Sequence, residues 1–262
     1  MNSRTDAVVV REIESPEEFH ETVNVAKAAW GFSERSLSPA ADLIAITHAG
    51  GLTAAAFAGK RMLGFVHGIP RTNRGQLCQH SHLLAVRPEF QGRGLSVHLK
   101  LFQRSWCLER DIRLVTWTYD PFLIKNARLN LMRLRGTVST FLPNFYGPMG
   151  GIYGELPTDR FEVTWRLDDP LVELAAQGAA LRPAQADESR PPQATLRTMP
   201  SGSRVGLPFP AGAPGIYRSN PDGSRRARIR FGRLASALFL RGFAATGIQI
   251  RKGEPYYVLD RR

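Results

Sequence analysis

The residues best suited to chemistry lie in H-S-H-L-L-A-V-R-P-E-F-Q-G-R-G-L-S, residues 80–96. Gly92 and Gly94 stand between an apolar run and a run with helical spacing. A glycine-rich loop at a helix start exposes backbone N–H groups, because the first turn has no intrahelical acceptors and no Cβ blocks close approach. Together with the helix dipole this makes a phosphate site, with Arg87 and Arg93 as neighbouring cations. The loop lacks both the third glycine of a dinucleotide fingerprint and the lysine of a P-loop. Upstream, alternation puts His80, His82 and Leu84 on one face of the strand, and a histidine takes up a proton in the useful range.

Elements that would position these groups are readable on both sides. Val8 to Ile13 reads as a strand, and Ser15-Pro16-Glu17-Glu18 supplies an N-cap, a first-turn proline and a glutamate three after the cap. Phe19, Val23, Ala26 and Trp30 then form one helical stripe. Ser38-Pro39 opens a second helix reaching about His48. Leu52 to Ala58 and Met62 to Ile69 form a hairpin, and Cys78 to Val86 a third strand. The helix after the glycines runs from Leu95 to Glu109, with Leu95, Leu99, Phe102 and Trp106 facing a core and Lys100, Gln103 and Arg104 elsewhere. A strand follows at Leu114 to Tyr119. Asp120-Pro121 caps another helix whose stripe is Ile124, Ala127, Leu131 and Leu134, and Gly136 stops it. Strands are expected near Ile152 to Glu155 and over Phe161 to Leu167.

Ala175 to Ala194, rich in Ala, Gln and Pro, reads as a linker. A strand is expected over Ala194 to Met199, loop over 200–224, and a helix from about Arg226 to Arg241. A terminal hairpin, Phe243 to Arg251 with Tyr256 to Leu259, turns at Lys252-Gly253-Glu254. The domains are therefore residues 1–170, a linker at 171–194 and a C-terminal α+β extension at 195–262.

Composition narrows the class of protein. No stretch approaches the roughly 18 apolar residues of a membrane span and no apolar signal core opens the chain, so a cytoplasmic protein without membrane contact is expected. Cys78 and Cys107 lack metal-type spacing, and neither a metal site nor a disulfide is expected. Net charge is +12, and 30 of the 35 basic residues are arginine. That excess favours phosphate or carboxylate groups as partners, or is ordinary surface charge.

The order of elements, the lead-in L-A-V-R-P-E-F and the loop Gln91-Gly92-Arg93-Gly94-Leu95-Ser96 resemble the GNAT acyltransferase superfamily over about residues 8–167. The pattern there is Q/R-x-x-G-x-G/A, matched at Gln91 and Gly94, with Ser96 departing at the last position. Local motifs S-H-L-L-A-V, L-K-L-F-Q-R, V-T-W-T-Y-D-P, N-A-R-L-N-L and N-F-Y-G are similar to an uncharacterised branch of predicted acetyltransferases. The resemblance implies a GNAT fold: a mixed, mostly antiparallel α+β sheet flanked by helices. It implies acetyl-CoA or another acyl-CoA as co-substrate, its diphosphate on residues 91–96 with Arg87, Arg93 and Lys125 nearby. Its pantetheine arm would run beside Leu84 to Val86, where a free N–H meets the thioester oxygen.

The implied reaction is direct acyl transfer to an amine, with an acidic or carboxylate-bearing small molecule suggested by the arginine excess. An aliphatic amine has a pKa of about 10.4 and must first lose a proton. His82 is the candidate base, or else a structural histidine bonded to backbone. The tyrosine acid usual in relatives is missing, with Leu131 and Met132 in its place. Tyr146 is the candidate substitute, Tyr119 an alternative, and Asn126, four residues before Asn130, a candidate contact to the coenzyme arm. Asp120 is accounted for by capping, and Asp159-Arg160 by a local ion pair or turn.

Two rival readings stand beside this one. The first is an acyl-CoA-binding sensor or scaffold without transfer. The second is a nucleic-acid binder using Arg226, Arg230 and Arg233 on one helix face, disfavoured because no helix-turn-helix, zinc knuckle or RNP-like motif accompanies them. The extension is open between a lid, a homodimerisation element and a small lobe.

Overall fold

The computed structural model describes residues 7–73, 75–147, 149, 156–178, 202–209 and 221–262. The chain forms two compact units, residues 1–117 with 150–152, and 118–149 with 153–262. This differs from the division read in the sequence, because residues 118–149 and 156–178 share a unit with the C-terminal segment. The expected strands at Ile152 to Glu155 and Ala194 to Met199 lie outside the described residues.

In the first unit, the strands β1 (Val8–Glu12), β2 (Leu52–Ala58), β3 (Arg61–Asn73) and β4 (Gln76–Val86) pair antiparallel in chain order. β5 (Leu114–Tyr119) joins β4 in parallel. The sheet is mixed, as a strand–helix–strand crossover requires. Helices α1 (Pro16–Trp30), α2 (Ala40–His48) and α3 (Leu95–Leu108) flank it. Ser15 caps α1 as its sequence demands, accepting a hydrogen bond from Glu18 N–H.

α3 departs from the expected polarity. Lys100 and Gln103 are buried alongside Leu99 and Trp106, while Phe102 is half-buried. Lys100 Nζ donates to Gln103 Oε1 at 2.8 Å and lies 3.6 Å from the centre of the Trp117 ring. Gln103 Nε2 donates to Gln79 Oε1 at 2.5 Å, which also accepts from Cys107 Sγ at 3.5 Å. Burial pushes Lys100 well below the ordinary ammonium range and the Cys107 thiol up to about 12. Polar groups can occupy a core face when they bond to one another, as here, although Gln79 Nε2 meets no acceptor among the described residues, and apolar periodicity cannot register that.

In the second unit the strand order is β7 (Arg160–Arg166), β6 (Thr137–Leu142), β9 (Phe243–Arg251), β10 (Glu254–Arg261), β8 (Arg204–Pro208). The C-terminal strands thus extend the sheet of β6 and β7 through the Val138–Ala245 pair. β8 falls where the sequence suggested loop. Helix α5 (Pro170–Ala176) begins at an Asp169 cap and occupies the start of the expected linker. Helix α6 (Pro221–Phe239) starts earlier than expected and buries Phe231, Leu234, Ala235 and Leu238. Lys252 and Gly253 turn the terminal hairpin with φ of 50° and 80°, the pair of positive values a two-residue turn needs.

α6 packs so closely on β6 that a Cβ at Gly232 would sit 2.4 Å from Phe141. Gly232→Ala is expected to destabilise the protein by about 1 to 3 kcal/mol, measured by denaturant unfolding, since it overfills a packed core.

Asp120 Oδ1 accepts from Phe122 N–H at 2.9 Å, but the next helix, α4 (Ile124–Ala127), starts only at Ile124 and continues as a π-helix over Arg128–Arg133. It ends at Arg133, and the left-handed residue beyond its end is Arg135, at φ 58°, rather than Gly136. Capping alone therefore does not account for Asp120. Its Oδ2 accepts from buried Arg228 on α6 at 2.9 Å, and Asp159 Oδ2 lies 3.5 Å from the same guanidinium. Arg160 donates to the Asp159 backbone carbonyl at 2.9 Å. The Arg228 guanidinium also lies 4.2 Å from the centre of the Phe122 ring.

Candidate active site

The strand carrying the histidines is irregular where they lie. β3 pairs His67 with Leu83 and Gly68 with Ser81, so His82 is an extra residue, a β-bulge. Bulges re-aim side chains and recur beside active sites. The bulge interrupts the alternation that would have aligned Leu84 with His80 and His82. The two imidazoles remain neighbours, with ring centres 6.2 Å apart.

β4 pairs with β5 only at Gln79–Val115 and His80–Thr116, although β4 runs on to Val86. Among the described residues, the β4 edge beyond His80 has no partner strand on that side. An N–H left unpaired on such an edge can meet a developing oxyanion. Leu84 is half-buried there and Val86 is buried.

Three histidines are held neutral around this strand. Burial is the first cause in each: it lowers His67 and His80 to about 4 and draws His82 below its ordinary value. His80 Nδ1 lies 3.3 Å from Thr116 Oγ1, to which Arg71 donates at 3.2 Å. His82 is half-buried, and a neutral imidazole keeps a lone pair able to accept a proton.

His67 went unnoticed in the sequence. It is fully buried, and its Nδ1 lies 2.8 Å from Thr53 Oγ1, itself 2.6 Å from Thr47 Oγ1. Its Nε2 has no hydrogen-bond partner among the described residues. The available signal was a histidine between glycines in the otherwise apolar run M-L-G-F-V-H-G-I.

The loop is built to leave amides free. Phe90 and Gln91 N–H donate to Arg87 and Pro88 carbonyls, and bonding resumes only at Val97 and His98, which donate to Gly94 O. Between them, among the described residues, the N–H groups of Gly92, Arg93, Gly94, Leu95 and Ser96 meet no acceptor. Gly92 and Gly94 adopt φ of 80° and 83°, and a Cβ at either would meet nothing within 4 Å. Leu95 anchors the helix start in the core, while half-buried Ser96 gives its amide without capping the helix.

Gln91 serves the loop rather than a ligand: its Nε2 donates to Val86 O at 3.0 Å, tying the turn to the strand end. Arg87 is also committed, donating from Nε to Met62 O at 2.9 Å and pairing with Glu21. Arg93 stays exposed, 5.3 Å from the centre of the Phe90 ring and with no carboxylate partner among the described residues. It is the cation of this loop available to a phosphate.

The remaining candidates belong to the second unit. Tyr146 is partly exposed, its hydroxyl 3.3 Å from Thr118 Oγ1 and its ring 5.1 Å from the Arg160 guanidinium. Tyr119 is sealed in the core: burial drives its hydroxyl pKa upward, and it donates to Tyr257 at 3.4 Å. Leu131 is fully buried, and Met132 Sδ lies against Ile248 N–H at 3.4 Å, so neither position offers a proton. Asn126 is half-buried on α4 and Lys125 is exposed. Asn130 lies in the wider π turn and is buried, which separates the two asparagines in environment.

Among the described residues no helix is long and apolar enough to cross a membrane, and no cluster of three His, Cys, Asp or Glu could hold a metal ion. No family model matches the sequence and no curated protein matches it. Solved structures do resemble it. A Desulfovibrio desulfuricans protein assigned to the GNAT family of acetyltransferases aligns with TM-score 0.50 and 18% identity, over 62% of this chain and 99% of its own. The ribosomal-protein-S18-alanine N-acetyltransferase of Escherichia coli aligns with TM-score 0.50 and 14% identity, over 62% and 94%. The Salmonella typhimurium protein yncA, solved with acetyl-CoA, gives TM-score 0.50 and 16% identity over 63% and 96%. This chain has the fold of these GNAT acetyltransferases.

Proposed function

We propose that the protein is an acyl-CoA-dependent N-acyltransferase that moves an acetyl or other short acyl group directly to an amine. The observation carrying this reading is the run of free amides from Gly92 to Ser96 at the start of α3, with open space above both glycines. That arrangement suits a diphosphate. The acetyl-CoA in the Salmonella protein, and a neighbour named for acetyl transfer to an alanine, agree with it.

In the proposed reaction, neutral His82 takes a proton from the ammonium acceptor, directly or through water. The amine nitrogen then bonds to the thioester carbonyl carbon. An N–H on the unpaired β4 edge receives the resulting oxyanion, a contact worth about 3 kcal/mol in comparable sites. As the intermediate collapses the C–S bond breaks, and the thiolate leaves with the electron pair. Tyr146, the exposed tyrosine of the N-F-Y-G turn, is the proposed proton donor to sulfur. Asn126 and Lys125 are proposed contacts to the coenzyme. Buried Leu131 and half-buried Met132, standing where a tyrosine acid would be expected, favour a second reading, an acyl-CoA binder without turnover. Release of free thiol with a panel of amines separates the two: binding without release supports the second.

His82→Gln is expected to lower kcat about 100-fold while leaving coenzyme A affinity unchanged, measured by thiol release and calorimetry. The sign of the pH dependence follows from the base form. Activity rises with pH as His82 loses its proton and levels off above that limb, which lies below about 6.5 because burial lowers the group. In His82→Gln the limb should vanish.

A further inference from the structure

α6 carries a second, differently built surface. At 19 residues it is about 28 Å long. One side is spent on the core through Ser224, Arg228, Phe231, Leu234, Ala235 and Leu238. The opposite side presents Arg225, Arg226, Arg230 and Arg233, all exposed. Helical spacing of 100° per residue puts these four within one half of the helix surface. None has a carboxylate partner among the described residues, and no Asp or Glu follows Asp222 on the helix to offset them. Four uncompensated guanidinium groups on a rigid, packed helix are costly for self-repulsion and useful only to a polyanion.

We infer that this arginine face of α6 docks the phosphate backbone of duplex DNA, without reading its sequence. The spacing of the arginines is of the same order as that of the ligand's charges, and their long side chains can take up the difference. Arg226 to Arg230 advances about 6 Å along the helix and Arg230 to Arg233 about 4.5 Å, against roughly 3.4 Å per phosphate along one strand. Arginine forks match phosphate oxygens in pairs. Backbone contact requires neither a helix-turn-helix nor a zinc motif.

Other occupants fit less well. A membrane-surface helix turns an apolar face to the lipid, but the apolar face of α6 is buried in its own unit. Exposed Ile229 and Leu240 lie about 16 Å apart along the axis. Duplex RNA, whose backbone encloses a deep, narrow major groove, is set against DNA in the test.

The test is fluorescence anisotropy of the full-length protein with a mixed-sequence DNA duplex across a salt series, for wild type and for R226Q/R230Q/R233Q. Four phosphate contacts predict an affinity falling about 100-fold between about 50 and about 200 mM salt. The triple variant should bind more weakly on every sequence, with the log–log salt slope reduced by about 3. Its coenzyme A affinity should be that of wild type, because these residues lie outside the acyl-transfer machinery. Absent duplex binding, an unchanged slope in the variant, or preference for duplex RNA or for phosphatidylserine vesicles over DNA would each overturn the inference.

Discussion

Replacing Gly92 and Gly94 together by valine is expected to weaken coenzyme A binding by at least about 100-fold, in calorimetry at low ionic strength, while the protein remains folded. Both halves follow from the same geometry. Each glycine has a positive φ near 80°, where a residue with a Cβ costs about 1 to 2 kcal/mol. No neighbouring atom lies within 4 Å of the point where either Cβ would stand, so strain is the whole folding cost. The same open space is where an anion would approach the amides of residues 92–96, and two isopropyl groups would fill it. A charge-assisted hydrogen bond contributes about 1.5 to 3 kcal/mol, so losing even two amides accounts for a 100-fold change. If the double variant binds coenzyme A like wild type, the diphosphate is held elsewhere.

The second large effect concerns stability. Arg228→Met should destabilise the protein by about 3 to 5 kcal/mol at neutral pH, because it leaves the carboxylates of Asp120 and Asp159 buried without their cation. The pH dependence has a definite sign. Burial already raises Asp159 above the ordinary carboxylate range in the intact protein. A folded state with the higher pKa binds more protons, so this group's contribution favours the folded state at acid pH and is lost as pH rises through the raised value. Without Arg228 the raising is greater, and the variant's deficit should shrink between about pH 7.5 and about pH 5. Adding Asp120→Asn and Asp159→Asn to Arg228→Met should recover much of the loss at neutral pH. Urea unfolding at the two pH values reads both effects.

What the sequence could reveal follows from the range of each interaction. The Ser15 cap, the positive-φ glycines of the loop and the Lys252-Gly253 turn are set within a few residues, and each was legible. The order of strands and helices through β5 followed from periodicity for the same reason. Arg228 pairs with Asp120 across 108 positions and with Asp159 across 69, and no local pattern announces such a pair. Hence Asp120 looked like a cap and Asp159 like half of a turn. Lys100 and Gln103 looked solvent-facing because apolar periodicity assigns polar residues outward, whereas here they link to Gln79 in a buried amide and ammonium network. The bulge at His82 was invisible because strict alternation assumes one residue opposite one residue. The positive-φ backbone of the glycine loop was legible, while the prior commitments of Gln91 and Arg87 were not. Their partners, Val86 O, Met62 O and Glu21, are chosen by tertiary packing.

The central claim is that the free amides from Gly92 to Ser96 grip the diphosphate of an acyl-CoA. Amide proton and nitrogen shifts of the full-length protein, followed through a titration with acetyl-CoA, test it most directly. The account predicts saturable downfield movement of the Gly92, Gly94 and Ser96 amides, as new charge-assisted hydrogen bonds form. Saturation of other resonances while these three stay fixed, or no saturation anywhere, would contradict it.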